Sequence, residues 1–350
     1  MPRLATAVLA ILAWLGSTAQ ASEPAFAIGA IEKSFTDVTR KIKASSGFAG
    51  AAQRRLDVMV WYPSTTVKDG SGRPAIAGGG PWPLVIYSHG TYSRPDSAMH
   101  LVRELVARGY VVAAPNYPLT SSTAFTKVSR ADITDVVEQT RDIRFLIDSL
   151  LADPFLKSAI DPARIGTTGI SLGAVTSYFS SFGLQTRDPR IKATAPIAAA
   201  DPVQSALSSS VGMEGTAHAP VSVPTLFVSA DQDVFARTTG RPHAAFARIE
   251  GPKYEVMIKG GVHLWFGDGA AQDPGGKNPD CLFFERALPG RTMAGCGTPV
   301  PLIAPDREKE ITRLAVADFF DAYLKRDAAA LARLRSIDQR YAEVGFLKED

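Results

Sequence analysis

One serine of the sequence lies between glycines at a spacing that suits a catalytic nucleophile. Ser171 is the central residue of Gly169-Ile-Ser-Leu-Gly173, a G-x-S-x-G pattern. Glycines at both ends remove the Cβ atoms that would clash in a sharp turn from a strand into a helix. Such a turn raises the hydroxyl above the sheet, and the N-terminus of the following helix favours negative charge beside it. Ser171 is therefore the candidate nucleophile; the alternative is an ordinary turn that contains a serine.

A serine hydroxyl is a poor nucleophile at neutral pH and needs a base, which an imidazole with a pKa of about 6.5 can provide. His263 ends the run Gly260-Gly-Val-His263, directly after a strand predicted late in the chain. This setting makes His263 the candidate base, with a purely structural histidine as the alternative. The other histidines do not follow a late strand on a glycine turn: His89, His100, His218 and His243.

Three aspartates that follow predicted strands compete for the role of orienting the imidazole. Asp233 and Asp231 leave the same strand, and Asp201 leaves the strand before it. The small residue Ala230, three positions ahead of the acid, favours Asp233. Asp231 and Asp201 stay open, and an Asx-type turn cap is the structural alternative for each.

An oxyanion formed during acyl transfer needs two backbone N–H donors. Leu172, the residue after the candidate nucleophile, is expected to supply one. Thr91, in Ser-His-Gly-Thr after an early strand, is expected to supply the other. His89 in the same run is expected to brace this loop. Trp265 and Phe266 directly follow the candidate base and could wall an acyl pocket, although such an aromatic pair is as often core packing.

Strands alternate with helices along the chain, which predicts an α/β fold with a mostly parallel central sheet covered by helices on both faces. In such sheets the catalytic groups collect at the carboxyl ends of the strands. The strands are predicted at residues 55–63, 84–87, 110–115, 165–170, 191–199, 223–229 and 254–259, and the main helices at 96–108, 131–151 and 311–324.

The candidate triad follows the chain order Ser, Asp, His, which is the order found in α/β-hydrolases. The parts of the chain outside the alternating pattern carry weaker predictions. Residues 22–50 give no clear pattern, residues 267–305 are predicted as a Gly/Pro-rich loop, and the charged stretch after residue 325 is predicted to be peripheral.

Composition limits the class of protein. The chain has 350 residues, of which 45% are hydrophobic, enough for one large core or two modest ones. Lys and Arg number 38 against 35 Asp and Glu, giving a net charge of +3 without a basic run, so nucleic-acid binding has little support. We expect residues 22–350 to form a single domain, and the sequence does not predict an oligomeric state.

The first 21 residues read as a secretory signal peptide. Arg3 precedes an apolar run from Leu4 to Leu15, and Ala19-Gln-Ala21 is an A-x-A cleavage site. A membrane anchor is the alternative, but the run is short for a span of about 20 residues. These features predict a periplasmic or secreted protein without a stable membrane span.

The two cysteines, Cys281 and Cys296, lie in the exported part of the chain and are expected to form a disulfide. Two unpaired thiols are the alternative. The cysteine spacing is not that of a zinc site, and no metal is expected.

Together these stretches resemble secreted bacterial α/β-hydrolases of the dienelactone hydrolase-like group, which includes platelet-activating factor acetylhydrolase-like and cutinase-like polyester hydrolases. The resemblance covers roughly residues 55–325. It rests on Val-Trp-Tyr-Pro at 60–63, Ser-His-Gly at 88–90, Gly-Ile-Ser-Leu-Gly at 169–173, Ser-Ala-Asp-Gln-Asp at 229–233 and Gly-Val-His at 261–263.

The resemblance implies a serine esterase without a cofactor, with a Ser171–His263–Asp233 triad and a carboxylic ester of short to medium acyl chain as substrate. A phospholipid acetylhydrolase or a polyester hydrolase is the alternative, and a non-catalytic binding protein on a hydrolase scaffold is the alternative from another class. The chain departs from the pattern in three ways. Dienelactone hydrolases proper have a cysteine nucleophile, Ala174 replaces a frequent second glycine, and segment 267–305 is unusually long. Acetylhydrolases of the group can draw their acid from the earlier strand, which keeps Asp201 open.

Overall fold

A computed structural model describes residues 26–126, 130–199, 218–235 and 243–349. The predicted signal peptide lies outside these ranges, as does Asp201. Within them, ten strands form one sheet. The strands are β1 (Ala27–Asp37), β2 (Arg54–Lys68), β3 (Pro74–Ile76), β4 (Trp82–Ser88), β5 (Val111–Asn116), β6 (Ile160–Ile170), β7 (Ile191–Ile197), β8 (Thr225–Ala230), β9 (Lys253–Ile258) and β10 (Val344–Glu349).

The strand order is β1-β2-β5-β4-β6-β7-β8-β9-β10, with β3 beside β2. The central strands from β5 to β9 in this order run parallel. The pairs β1–β2, β2–β5 and β9–β10 are antiparallel and lie towards the two edges. Because β6, β8 and β9 run in the same direction, the residues that follow them emerge at one edge of the sheet.

Helices cover both faces of the sheet, as the alternating sequence pattern predicts. They are α1 (Met99–Ala107), α2 (Val136–Ala152), α3 (Leu172–Phe182), α4 (His243–Arg248), α5 (Pro279–Ala287), α6 (Pro305–Leu324), α7 (Ala328–Arg335) and α8 (Ile337–Arg340). Short 3₁₀ helices cover Ser122–Thr126, Ile133–Asp135 and His263–Phe266.

The two-residue period of a strand divides β4 between the two cores. Val85 and Tyr87 belong to the core formed with α1 and α6, whereas Leu84 and Ile86 belong to the core formed with α2. A third apolar cluster joins α3 to Phe227 of β8 and to α4. This continuous apolar character on both sides is what a buried parallel strand requires.

Both ends of the described chain differ from the sequence predictions. Residues 27–37 gave no clear pattern but form β1, which pairs along its whole length with β2. The C-terminal stretch, predicted to be peripheral, instead adds β10 to the edge of the sheet at β9. Asp318 of α6 is buried and accepts hydrogen bonds from Arg108, Arg333 and Arg340, so charged side chains fasten this stretch to the core.

The C-terminal helices therefore contribute to global stability. Leu334 of α7 is fully buried in the main core, so Leu334→Ala is expected to lower the free energy of unfolding by about 2–4 kcal/mol. Leu347 of β10 is 48% exposed, and Leu347→Ala is the matched control with an expected change of about 0.5 kcal/mol or less. Urea unfolding of both variants tests this, and equal losses would contradict the core role of α7.

Segment 267–305 is not only a loop, because α5 lies within it. Asn278 caps this helix by accepting a hydrogen bond from the Asp280 N–H, and Pro279 occupies its first turn. The predicted disulfide between Cys281 and Cys296 is present and joins the stretch after α5 to the first turn of that helix. In the part of the chain that the structure describes, no helix has the length and apolar character needed to cross a bilayer.

Candidate active site

Ser171 lies in the tight turn between β6 and α3, in a strained backbone conformation. Its φ is 58° and its ψ is −117°, a left-handed region that side chains disfavour. A Cβ added at Gly173 would overlap the Ser88 carbonyl oxygen, and one added at Gly169 would overlap the Gly173 carbonyl oxygen. The Ser171 N–H donates to the Ile197 carbonyl at 3.0 Å. Close backbone packing therefore requires both glycines and holds the serine in place.

His263 and Asp233 form a buried hydrogen-bonded pair. The Nδ1 atom of His263 lies 2.8 Å from Oδ2 of Asp233, and both residues are buried. Because a carboxylate only accepts, the proton of the neutral imidazole is assigned to Nδ1, which leaves the lone pair on Nε2. Burial lowers the pKa of His263, but the charge and hydrogen bond of Asp233 outweigh it, and the net pKa is raised above the ordinary value.

The rival aspartates differ in what they contact. Oδ1 of Asp231 accepts a hydrogen bond from the Gly260 N–H at 2.7 Å, which links the end of β8 to the turn after β9. It is Asp233 that meets the imidazole. Asp201 lies outside the described residues.

The loop after β4 lies against the Ser171 turn and contains the second predicted oxyanion donor. A Cβ added at Gly90 would lie 3.2 Å from the Ile170 carbonyl oxygen and 3.3 Å from the Ser171 Cβ, which shows how closely the loop approaches. Thr91 and Ser171 line one cavity. Leu172 is the first residue of α3, so its N–H has no partner four residues earlier in that helix.

His89 braces this loop, as its position in the sequence predicts. Nδ1 donates to the Gly90 carbonyl at 2.8 Å, and Nε2 accepts from the Tyr117 N–H at 3.2 Å. Complete burial lowers the pKa of His89 to about 4, so the ring stays neutral and both nitrogens serve the backbone. The imidazole thus joins the end of β4 to the segment after β5.

Ser171 and His263 both line a cavity of about 470 Å³. Most of its walls are apolar or aromatic, and the Tyr87 hydroxyl lies 3.1 Å from Ser97 Oγ at one side. The walls include Tyr87, Tyr92, Ile170, Phe235, Leu264 and Phe283.

The structure does not bring Trp265 and Phe266 to this cavity. Both are fully buried, Phe266 belongs to the main core, and neither is among the residues that line the cavity. Both residues lie in the 3₁₀ helix that begins at His263, and both side chains are buried there. Their place beside the imidazole is taken by residues that the sequence did not single out.

The aromatic neighbour of the candidate base is Phe235, two residues after the acid. Its ring stacks on the His263 imidazole with centroids 4.4 Å apart and planes 29° from parallel. Phe284 and Phe283 of α5 pack against Phe235 at 4.7 and 5.5 Å. Segment 267–305 therefore contributes directly to the wall of the cavity, and only its proximity to Asp233 could have pointed to Phe235 in the sequence.

In the described ranges, no group of three or more His, Cys, Asp or Glu side chains is arranged to hold a metal ion.

Three buried carboxylic acids lie around the His263 turn: Asp233, Asp280 and Glu308.

No protein-family model matches this chain. Lipase 1 of Moraxella sp. (strain TA144) is 26% identical to it over 118 residues, which are 34% of this chain and 32% of the lipase. The match thus spans about a third of the length of that curated relative. The resemblance to the dienelactone hydrolase-like group stays a prediction.

Among solved structures, a ferulic acid esterase from Streptomyces cinnamoneus is similar to this chain with a TM-score of 0.65. The similarity covers 93% of this chain and 98% of the esterase at 21% sequence identity. At this identity the comparison carries information on architecture, since one fold can host different activities. Together with the mostly parallel sheet and its two helical layers, it shows that the chain has the α/β-hydrolase fold.

Proposed function

We propose that this protein is a serine hydrolase that cleaves carboxylic esters. The observation that carries the proposal is that one cavity is lined both by the strained turn at Ser171 and by His263 of the buried Asp233–His263 pair. The lipase relative and the esterase fold support the same class of reaction.

In the proposed mechanism, Oγ of Ser171 attacks the ester carbonyl while Nε2 of His263 takes the hydroxyl proton. Asp233 holds the Nδ1 proton and stabilises the imidazolium that forms. The N–H groups of Leu172 and Thr91 bind the oxyanion of the tetrahedral intermediate.

The intermediate collapses as the bond to the alcohol oxygen breaks, and the imidazolium returns its proton to that oxygen. Water then enters, His263 takes one of its protons, and the resulting hydroxide attacks the acyl-enzyme. The carboxylic acid leaves, and the proton on the imidazolium returns to Oγ of Ser171. Every proton transferred in the cycle thus passes through the His263 imidazole.

The cavity supports an acyl group of short to medium length, because its volume of about 470 Å³ lies in the range of small-ligand pockets and its walls are largely apolar. An aromatic acid is a second candidate, favoured by the rings of Tyr92, Phe235 and Phe283 in the wall. The hydroxyls of Tyr87 and Ser97 could then receive a ring substituent. The similar structure is itself a ferulic acid esterase.

We propose that the enzyme acts outside the cytoplasm as one domain over residues 22–350, after removal of residues 1–21. The disulfide between Cys281 and Cys296 supports an oxidising compartment.

An ester panel tests the proposed function. We expect turnover of p-nitrophenyl acetate and butyrate, and covalent labelling of Ser171 by a fluorophosphonate probe, located by mass spectrometry of the labelled peptide. Methyl ferulate and methyl butyrate share a leaving alcohol, so their kcat/KM ratio compares the aromatic and aliphatic candidates. A short-chain phospholipid and a polyester film test the remaining substrate classes. Folded protein that neither hydrolyses any of these esters nor takes the label would contradict the proposal and favour a binding protein.

A further inference from the structure

A third carboxylate, Asp280, contacts the backbone on both sides of the Asp233–His263 pair. Its Oδ2 accepts hydrogen bonds from the N–H groups of His263 at 2.9 Å and Val234 at 3.1 Å. Its Oδ1 accepts from the N–H of Leu264 at 3.0 Å. All three donors are adjacent to, or part of, the proposed catalytic pair.

These contacts join two turns that come from different strands. Val234 follows Asp233 in the turn after β8, and His263 begins the 3₁₀ helix in the turn after β9. The side-chain hydrogen bond between Asp233 and His263 depends on how these turns lie relative to each other. A buried carboxylate with three backbone partners fixes that relation more firmly than the side-chain pair alone.

Asp280 is itself held on a braced support. It lies in the first turn of α5, where the N–H of Asp280 donates to the capping oxygen of Asn278 at 2.8 Å. The Asn278 amide donates to the Gln232 carbonyl at 2.9 Å, beside the acid turn. The next residue, Cys281, is bonded to Cys296. Segment 267–305 thus contributes the Asp280 carboxylate to the site. The Asn278 hydrogen bonds hold it on one side and the Cys281–Cys296 disulfide on the other.

We propose that Asp280 is a positioning residue of the proposed triad. Its carboxylate fixes the position of the Asp233 turn relative to the His263 turn. This inference rests on the proposed function for its effect on catalysis. Asp280 acts through the backbone N–H groups of Val234, His263 and Leu264. Misplacing a catalytic base by about 1 Å can cost roughly 100-fold in rate, so a residue of this kind affects kcat more than KM.

The charge of Asp280 also affects the pKa of His263, so this pKa provides a second test of the proposal. Burial raises the pKa of Asp280 to about 6, although the charge of His263 and the backbone hydrogen bonds oppose this. In return, the Asp280 charge adds to that of Asp233 in raising the pKa of His263. Glu308 of α6 faces the same turn and accepts from the Val262 N–H at 3.0 Å, but burial raises its pKa well above the ordinary value and favours its neutral form.

The variant Asp280→Asn tests the proposal, with Glu285→Gln as the matched control on the exposed side of the same helix. Asparagine removes the charge and presents an N–H₂ group to one of the backbone donors. We expect kcat to fall by about 10- to 100-fold with little change in KM. The acid limb of kcat against pH should move to lower pH, because the imidazole loses a stabilising anion and stays neutral further into acid. Glu285→Gln should change neither quantity.

Two further measurements keep the outcomes distinct. Asn278→Ala loosens the support of Asp280 but keeps its charge, so kcat should fall several-fold without a shift of the acid limb. An NMR titration of the His263 imidazole in the wild type and in Asp280→Asn should give a lower pKa in the variant, whether or not an ester is hydrolysed. If the wild type hydrolyses no ester, the proposed function fails while this titration still tests Asp280. Folded Asp280→Asn with wild-type kcat and an unmoved imidazole pKa would overturn the inference.

Discussion

Replacing Ser171 with Ala is expected to lower kcat for ester hydrolysis by on the order of 10⁶-fold. The hydroxyl is the group that forms the acyl-enzyme in the proposed mechanism, and His263 has no second alcohol in the same strained turn to activate. Alanine keeps the Cβ and the φ of 58°, so the turn between β6 and α3 should form as before. Residual hydrolysis would come from the oxyanion donors and substrate binding alone.

The measurement is kcat for p-nitrophenyl butyrate, together with fluorophosphonate labelling and a thermal unfolding curve. Ser149→Ala is a suitable control, because its hydroxyl donates to the Phe145 carbonyl within α2 and takes no part in the proposed reaction. It should keep wild-type turnover and wild-type labelling. Turnover that persists in folded Ser171→Ala would show that the nucleophile has been assigned to the wrong residue.

Replacing Arg54 with Ala is expected to lower the free energy of unfolding by about 3–5 kcal/mol. The Arg54 side chain is fully buried at the start of β2. It donates two hydrogen bonds to Asp135, at 2.9 Å each, and two to Asp142, at 2.7 and 2.6 Å. Asp135 precedes α2 and Asp142 lies within it, so this guanidinium links the helix to β2. Arg40 also donates to Asp142, at 2.8 Å. Loss of Arg54 leaves buried carboxylates with too little positive charge.

Arg55→Ala is the matched control, because the neighbouring guanidinium is 63% exposed and pairs with Asp57 at the surface. An exposed pair of this kind contributes about 0–1 kcal/mol. Urea unfolding at neutral pH compares the two variants. Burial raises the pKa of Asp135 to about 6, and without Arg54 that pKa should rise further. The cost of Arg54→Ala should therefore shrink as the pH falls through the higher pKa of the variant towards 6, because Asp135 becomes protonated in the variant before it does in the wild type, and the cost should level off below about 6. Equal losses in both variants would contradict the buried role of Arg54.

Several elements were not predicted because they depend on packing partners that lie far away in the sequence. Strand β1 at Ala27–Asp37 and strand β10 at Val344–Glu349 lie at the edges of the sheet, where one face or one side remains open and the apolar pattern is weak. Helix α5 lies in a stretch rich in glycine and proline, which predicted a loop, and its start depends on the Asn278 cap. Such edge strands and short helices are decided by the neighbours on which they pack.

The aromatic residues illustrate the same limit. Trp265 and Phe266 stand beside His263 in the chain but point into the core, whereas Phe235, 28 residues before the histidine, stacks on its ring. Proximity in sequence does not determine which side of a turn a ring occupies. Which ring lies beside the imidazole is decided by tertiary packing, here by the contact of α5 with Phe235.

The sequence by itself determined the parts of this protein that follow from local rules. Glycines around Ser171 specify a tight turn, alternating buried strands and amphipathic helices specify a mostly parallel sheet, and strand ends specify where polar side chains gather. The tertiary structure decided the rest: which aspartate meets His263, which ring lies on the imidazole, and that Asp280 joins the two turns. The physical reason is that each of these is a contact of a few ångströms between segments that lie tens of residues apart. Only the packed core sets such distances.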